Sequence, residues 1–392
     1  MHPKLLKKVH DLKKEISGLL INLDEEILER EVKEKWNFYP AQKKPVFGIA
    51  EDGSVNKKHY LGFYLYSVSG YALGKRSPDD DHWLEEILGE INVSFIKNTE
   101  FAESYFKLLM FLLEIKALIK LAEKEKPDVL LVDGTLSGRF IIPPPKTKWF
   151  INEEFSGELA NLSGEFIKDL ERDLFKYDIT VFSKPIKEKV INKLIERFGN
   201  KGKRKDLLEA TLSKLAYFEY FILLHHLFYK LDWNPIIIGV AKTSHDTQIF
   251  QKSVPDIKIF QHFIKDMGYS EVQYIEDIQS KSMMKEWEFS EVFEKRASEK
   301  ANELKEIQIK FFYSKYHPRT GISLIEVYEN AKLETIKPSD INDYLNYFSV
   351  AGYPFVLRKA DKEVRITNRD MERIEELLNL KHEIKGREGL EK

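Results

Sequence analysis

Apolar residues recur along this chain at two periods. At the N-terminus Leu5, Val9, Leu12, Ile16, Leu19 and Leu23 are spaced alternately four and three apart. That heptad seam predicts one amphipathic helix over residues 1–37, packed on its own domain or shared with a second subunit. Strand patterning follows. Lys44 to Ala50 is a first strand, carrying Asp52 at its end. Tyr60 to Leu73 is aromatic and β-branched, one long strand or a tight pair, and Ile91 to Ile96 alternates and closes a meander. From about Glu100 to Lys124 the period is helical. The run Asp128 to Val132 is mostly apolar and branched, a buried strand ending at Asp133, where Gly134 turns the chain.

Residues 146–231 are helical again, with apolar spacing over Phe155–Phe175, Pro185–Phe198 and Leu207–Leu231. This stretch reads as an insertion or lid between two sheet strands. Asn234 to Ala241 is a further buried strand, followed by Lys242-Thr-Ser-His245. Ile307–Tyr316 and Gly321–Tyr328 flank His317-Pro-Arg-Thr and predict a hairpin. Helices close the chain over Ser339–Phe348, from Pro354 onward, and over about Asn368–Leu380. With no repeat and no clear linker, residues 38–392 are expected to form one mixed α/β domain with a large helical insertion.

Composition narrows the chemistry. The chain of 392 residues has no cysteine, which excludes disulfides, thiolate metal sites and cysteine nucleophiles. The formal net charge is −2, so any nucleic-acid contact must come from a local basic patch. The most basic short stretch is Gly199-Asn-Lys-Gly-Lys-Arg-Lys205, either a solvated loop or a phosphate contact. No apolar run is long enough to cross a membrane, and the N-terminus lacks a signal-peptide core. A cytoplasmic protein is expected.

Glu114 is the most informative single residue. Its helical neighbours at three, four and seven are Met110, Phe111, Ala117, Leu118 and Leu121, while Lys116, Lys120 and Glu123 fall on the opposite face. Two to three turns earlier Glu103 and Lys107 return to its side, where the helix is expected to meet solvent. A carboxylate on an apolar face must be neutralised, paired or metal-bound. Asp52-Gly53 and Asp133-Gly134 are singly turn signals. In order, a strand-end Asp, a β-meander, a helix Glu and a second strand-end Asp reproduce the parts of ribonuclease-H-like nucleases. There the first and fourth strands lie side by side and the helix crosses the sheet, so the three acids converge. In-line phosphodiester hydrolysis uses two hard cations about 3.5–4 Å apart, and Mg²⁺ and Mn²⁺ prefer carboxylate oxygen.

The chain resembles the NurA nucleases that process DNA ends. The resemblance spans most of the chain and rests on Ala50-Glu-Asp-Gly-Ser54, Glu114 in its apolar helix, Leu131-Val-Asp-Gly-Thr135, Gly239-Val-Ala-Lys-Thr-Ser244 and Gly352-Tyr-Pro-Phe with Lys359-Ala-Asp-Lys-Glu-Val-Arg-Ile366. It implies a ribonuclease-H-like fold and a Mn²⁺-dependent 5′-to-3′ DNA exonuclease with single-strand endonuclease activity; Mg²⁺ is the alternative metal. It also implies a homodimer and a HerA-type hexameric translocase as partner in end resection for double-strand break repair. By the same resemblance Asp52, Glu114 and Asp133 match metal-binding acids and Tyr353 an active-site tyrosine. Asp361 stands where the family commonly has histidine. Aspartate serves a hard cation at least as well, at the cost of extra negative charge. The alternative for Asp361 is a helix-surface acid beside Lys359 and Lys362. Lys242, after its buried strand, either steadies a phosphate or is a solvated turn lysine. Tyr353 either meets the nucleic acid or is a core aromatic. Two other functions stay open: a catalytically impaired adaptor of a translocase, and a ribonuclease of the same fold.

Other candidates carry less. Gly70-Tyr-Ala-Leu-Gly-Lys-Arg-Ser77 has three residues between its glycines and Arg where a phosphate loop needs Ser or Thr. His225 and His226 point about 100° apart on a helix and make a poor metal pair. Asp79-Asp-Asp-His82 is expected to cap a helix beginning at Trp83, and His317 is an exposed loop residue.

Overall fold

The structure is a computed structural model that describes residues 5–13, 25–77, 81–96, 99–140, 153–275, 291–328 and 336–380. Helix α1 (Glu25–Glu34) leads into β1 (Trp36–Phe38), and β2 (Gly48–Tyr60), β3 (Phe63–Lys75) and β4 (Leu84–Ser94) form a meander. Helix α2 (Thr99–Glu125) precedes β5 (Val129–Asp133). Four helices follow: α3 (Glu153–Gly164), α4 (Ile167–Arg172), α5 (Lys184–Phe198) and α6 (Lys205–Tyr229). Then come β6 (Ile236–Ala241), α7 (Asp256–Phe263), β7 (Gly268–Ser270), β8 (Gln273–Tyr274), α8 (Glu291–Arg296) and α9 (Ser298–Lys305). The chain continues through β9 (Ile309–Lys315), β10 (Ser323–Tyr328), α10 (Pro338–Phe348), β11 (Ser349–Val350), β12 (Tyr353–Pro354), α11 (Phe355–Val364) and α12 (Asn368–Leu377).

The main sheet runs β1-β7-β9-β10-β6-β5-β2-β3-β4, with β8 also on β9. Strand β5 is parallel to both β2 and β6; the other pairs are antiparallel. The first strand of the meander and the strand after α2 are thus neighbours, as the ribonuclease-H-like reading requires. This is a mixed α/β fold with helices on both faces of one large sheet.

Alternation along the strands sorts two cores. Ile49, Val68, Leu130 and Val132 face α2 and the helical layer behind it. Ala50, Tyr71, Leu131 and Val129 face α10 and α11, where Ile341, Leu345, Val356 and Ala360 cover them. Helix α2 is sandwiched between the sheet and α6, so it is buried almost all round. That explains Lys116, which the sequence places on the polar face. It is fully buried, with its ammonium 2.5 Å from Glu219 of α6 and further bonds to Tyr177 O at 3.1 Å and Thr180 Oγ1 at 3.2 Å. Glu219 also accepts from the backbone of Thr180 and Val181. The helices between β5 and β6 therefore form a packed layer on α2. At the far end of α2 Glu103, on the same side as Glu114, is exposed and pairs with Lys57, as expected of a helix that meets solvent there.

Several expectations change. Strand β2 does not stop at Asp52-Gly53; it runs on to Tyr60 because all thirteen of its residues pair with β3. The strand expected over Ile91–Ile96 is longer and begins at Leu84, so Trp83 precedes a strand and no helix starts there; Asp79 lies outside the described residues. The predicted N-terminal helix is described over residues 5–13, where Leu5, Val9 and Leu12 are each about half exposed, and again in α1. Ile16, Leu19 and Leu23 lie outside the described residues. The helix ends at Glu34, and Trp36–Phe38 pairs with β7, which ties residues 25–38 into the main sheet. Gly70 to Lys75 lies within β3. His225 and His226 pair separately, with Glu303 and Glu123.

Candidate active site

The site begins with a mismatch in strand length. The last pair between β2 and β5 is Glu51 with Val132, and β5 ends one residue later. Strand β2 continues past that point with β3 as its one strand partner among the described residues. The result is a notch in the sheet, with Asp52 on one side and Asp133 on the other. Both belong to the face covered by α10 and α11, since they follow Ala50 and Leu131 in the alternation.

Glu114 reaches the notch from the opposite face. Gly53 and Gly70 are paired across β2 and β3. A Cβ on Gly70 would fall 2.2 Å from the Leu113 carbonyl carbon, and one on Gly53 would fall 2.1 Å from Glu114 Oε1. The two missing side chains let α2 rest on the sheet, and the Glu114 carboxylate takes the space beside Asp52.

The turn after β5 is fixed from below. Gly134 takes a φ of +89° and its amide donates to Val240 O at 3.1 Å. Buried Glu326 on β10 accepts from Ser137 N at 2.7 Å and Ser137 Oγ at 2.8 Å. Its neighbour across the ladder, Gly239, has no Cβ because one would meet Gly134 O at 2.8 Å. A short 3₁₀ turn over Ser137–Phe140 then swings Arg139 back beneath the sheet.

Arg139 is the residue the sequence did not reveal. Its guanidinium pairs with Glu114, donates to Glu51 Oε1 at 2.7 Å and to Asp133 O at 3.1 Å, and lies 4.3 Å from the centre of the Phe111 ring. Tyr220 of α6 donates to the Arg139 carbonyl at 2.7 Å. Glu51 is fully buried, and its Oε2 has no partner among the described residues. The only sequence signal was a lone arginine three residues after the Gly134–Leu136 turn, and its two acids are 25 and 88 residues away.

Electrostatics follow from this crowding. Burial raises the Asp52 carboxyl to about 7, and Glu114, Asp133 and Asp361 add to the rise against one bond from Gly53 N. Burial likewise raises Glu114 and Glu51, with Arg139 opposing in each case. On the open side, Tyr353 donates to Asp133 Oδ1 at 3.0 Å, and burial raises its hydroxyl further out of reach of ionisation. The Lys242 ammonium sits 3.9 Å from the centre of the Tyr353 ring. Asp361 on α11 looks toward the same side but is half-exposed and held by Arg365, one turn on.

The donors gathered here are carboxylate oxygens, with no sulfur and no imidazole, which suits a hard divalent cation. The rise in Asp52 and the orphaned Glu51 oxygen mark a site short of positive charge. Among the described residues no three such groups are drawn together as a closed ligand set, because Glu114 is turned to Arg139 and Asp361 to Arg365. The residue types fit a metal; the present rotamers favour the arginines.

Comparison with known proteins decides the family. The NurA domain model matches residues 48–366, a span that holds every residue of the notch. This chain belongs to the NurA family. The probable DNA double-strand break repair nuclease NurA of Methanocaldococcus jannaschii is 24% identical over 368 residues, covering 91% of this chain and 84% of that protein. The DNA double-strand break repair nuclease NurA of Sulfurisphaera tokodaii is 24% identical over 384 residues, covering 96% and 94%. The fold agrees with the crystal structure of the NurA nuclease from Sulfolobus solfataricus at a TM-score of 0.68, with 21% identity and 97% of each chain covered. It agrees equally with a crystal structure of NurA bound to dAMP and manganese, at 0.69, 18% identity and 97% and 98% coverage. Among the described residues no helix is long and apolar enough to cross a membrane.

Proposed function

We propose that this NurA-family chain is a metal-dependent DNA nuclease that hydrolyses phosphodiesters at the β2–β5 notch. The observation that carries the reading is the convergence of Asp52, Asp133 and Glu114 on one break in the sheet, from both of its faces. Relatives named as DNA double-strand break repair nucleases, and a NurA structure holding dAMP and manganese, support it. Asp52 and Asp133 would hold Mn²⁺, with Mg²⁺ as the alternative, and Glu114 and Asp361 would complete the set, Glu114 through the oxygen that Arg139 leaves free. When bound, the metal supplies Lewis acidity and offsets the charge of the scissile phosphate. The chain's own residues do the rest. Tyr353 fixes the Asp133 rotamer, Lys242 presents an ammonium to the phosphate, and Arg139 keeps Glu114 at the notch. From the family resemblance we take a 5′-to-3′ exonuclease with single-strand endonuclease activity, a homodimer, and a HerA-type translocase that feeds it during end resection.

Cleavage of 5′-labelled single-stranded DNA with Mn²⁺, Mg²⁺ or EDTA tests this, using wild type and Asp133→Ala. Short labelled products that need metal and vanish in the variant are expected. A matched RNA strand, cut faster than the DNA, would move the reading to a ribonuclease. The pairing of Glu114 with Arg139 favours one rival, an adaptor whose acids serve the fold. It predicts DNA binding without cleavage in any metal, and no Mn²⁺-induced rise in melting temperature.

A further inference from the structure

Beside the acidic notch lies a groove of opposite character, lined by Lys242, Gln261, Arg319, Tyr353, Arg358 and Asp361 among others. Two turns wall it. Ala351 and Gly352, between β11 and β12, both take left-handed φ, at +56° and +95°. That pair of angles makes a tight hairpin turn, and alanine holds it at a cost. A Cβ on Gly352 would fall 2.6 Å from the Arg319 carbonyl oxygen, so this turn and the one between β9 and β10 touch backbone to backbone. Gln261 of α7 comes up beside Gly321 of the second turn.

The cations of this groove lack carboxylate partners. Arg358 spends one bond on Val350 O at 2.9 Å, Lys242 lies over Tyr353, and no ion pair occupies Arg319 among the described residues. The acid that shares the lining, Asp361, is already matched by Arg365. Arginine presents planar donors that suit phosphate oxygens. Tyr353 touches both regions: its hydroxyl is bonded to Asp133 and its ring lines the groove.

We propose that this groove holds the nucleic-acid strand on one side of the scissile bond. Arg319 and Arg358 take its backbone phosphates, Gln261 meets a base or sugar edge, and Tyr353 with Lys242 marks the border with the notch. The proposal rests on the nuclease reading, but its test does not depend on cleavage. A fluorescent single-stranded oligonucleotide is titrated without divalent metal, over a range of salt, into wild type, Arg319→Ala, Arg358→Ala and the double variant. Each single variant is expected to bind several-fold more weakly. The slope of log affinity against log salt falls by about 0.7 per arginine removed, as for a lost phosphate contact on a single strand. Arg319→Lys and Arg358→Lys restore most of the slope. Unchanged affinity, or weaker binding with an unchanged slope, overturns the groove. If the slopes fall as expected while wild type cuts nothing with Mn²⁺, the nuclease reading fails and the strand groove stands.

Discussion

The Tyr353 hydroxyl donates to Asp133 Oδ1 across 3.0 Å, joining residues 220 positions apart in the chain. Among the described residues it is the one side-chain bond to that carboxylate, and it comes from the start of the segment that also carries Asp361. A hydrogen bond to an ionised acceptor is worth about 1.5–3 kcal/mol. Tyr353→Phe is therefore expected to lower kcat/KM with Mn²⁺ by roughly tenfold or more. The metal-free variant is expected to melt a few degrees lower, since the same bond is lost from the folded chain while the ring and its packing remain. Steady-state kinetics and a thermal melt on the same preparation check both halves.

Arg139 answers to two buried glutamates, so its removal leaves charge behind. Breaking a buried ion pair by deleting one partner typically costs about 3–5 kcal/mol. Arg139→Met is expected to fall in that range in urea denaturation. Adding Glu51→Gln and Glu114→Gln removes the stranded charges and recovers much of the loss. If the triple variant is as unstable as the single one, the cost lies in packing against Phe111 and Tyr220, and the electrostatic account is wrong.

Asp52 predicts a direction for pH. Its carboxyl is raised to about 7 in the folded chain, from an ordinary value near 3.8 in the unfolded one. Between those values the unfolded chain is ionised there and the folded chain holds its proton. Stability from this group is complete below the lower value and is lost as pH climbs through the upper one. Metal-free protein is expected to melt at progressively lower temperature from pH 4 to pH 7, with the decline levelling above 7. Asp52→Asn makes that decline shallower. Mn²⁺ binds the ionised form, so its stabilising effect grows over the same interval.

How much of this was legible in the sequence depends on how local each signal was. Strand β5 and Asp133 could be read because a buried apolar run and a turning glycine are contiguous. Glu114 could be read because one helix face repeats at a known period. Asp52 was placed, but its strand was cut short: Asp-Gly is a turn signal, and thirteen rungs of pairing with β3 outweigh it. Trp83 misled for a similar reason, since three aspartates before it look like a cap while the segment after it completes the meander. The spacing sets Lys116 on the charged face opposite Glu114, and nothing local announces the second helical layer that buries it. Arg139 was invisible because its meaning comes from two acids on other elements.

The buried Lys116–Glu219 pair changes how the helices between β5 and β6 should be regarded. Drawn as a diagram of strand order, they are an appendage that a protein engineer would trim to obtain a minimal enzyme. Trimming them would strip an ammonium of every acceptor it has among the described residues and lay bare one whole side of α2, the beam that carries Glu114. What interrupts the sheet in sequence is thus its foundation in space, and the smallest working version of this chain keeps it.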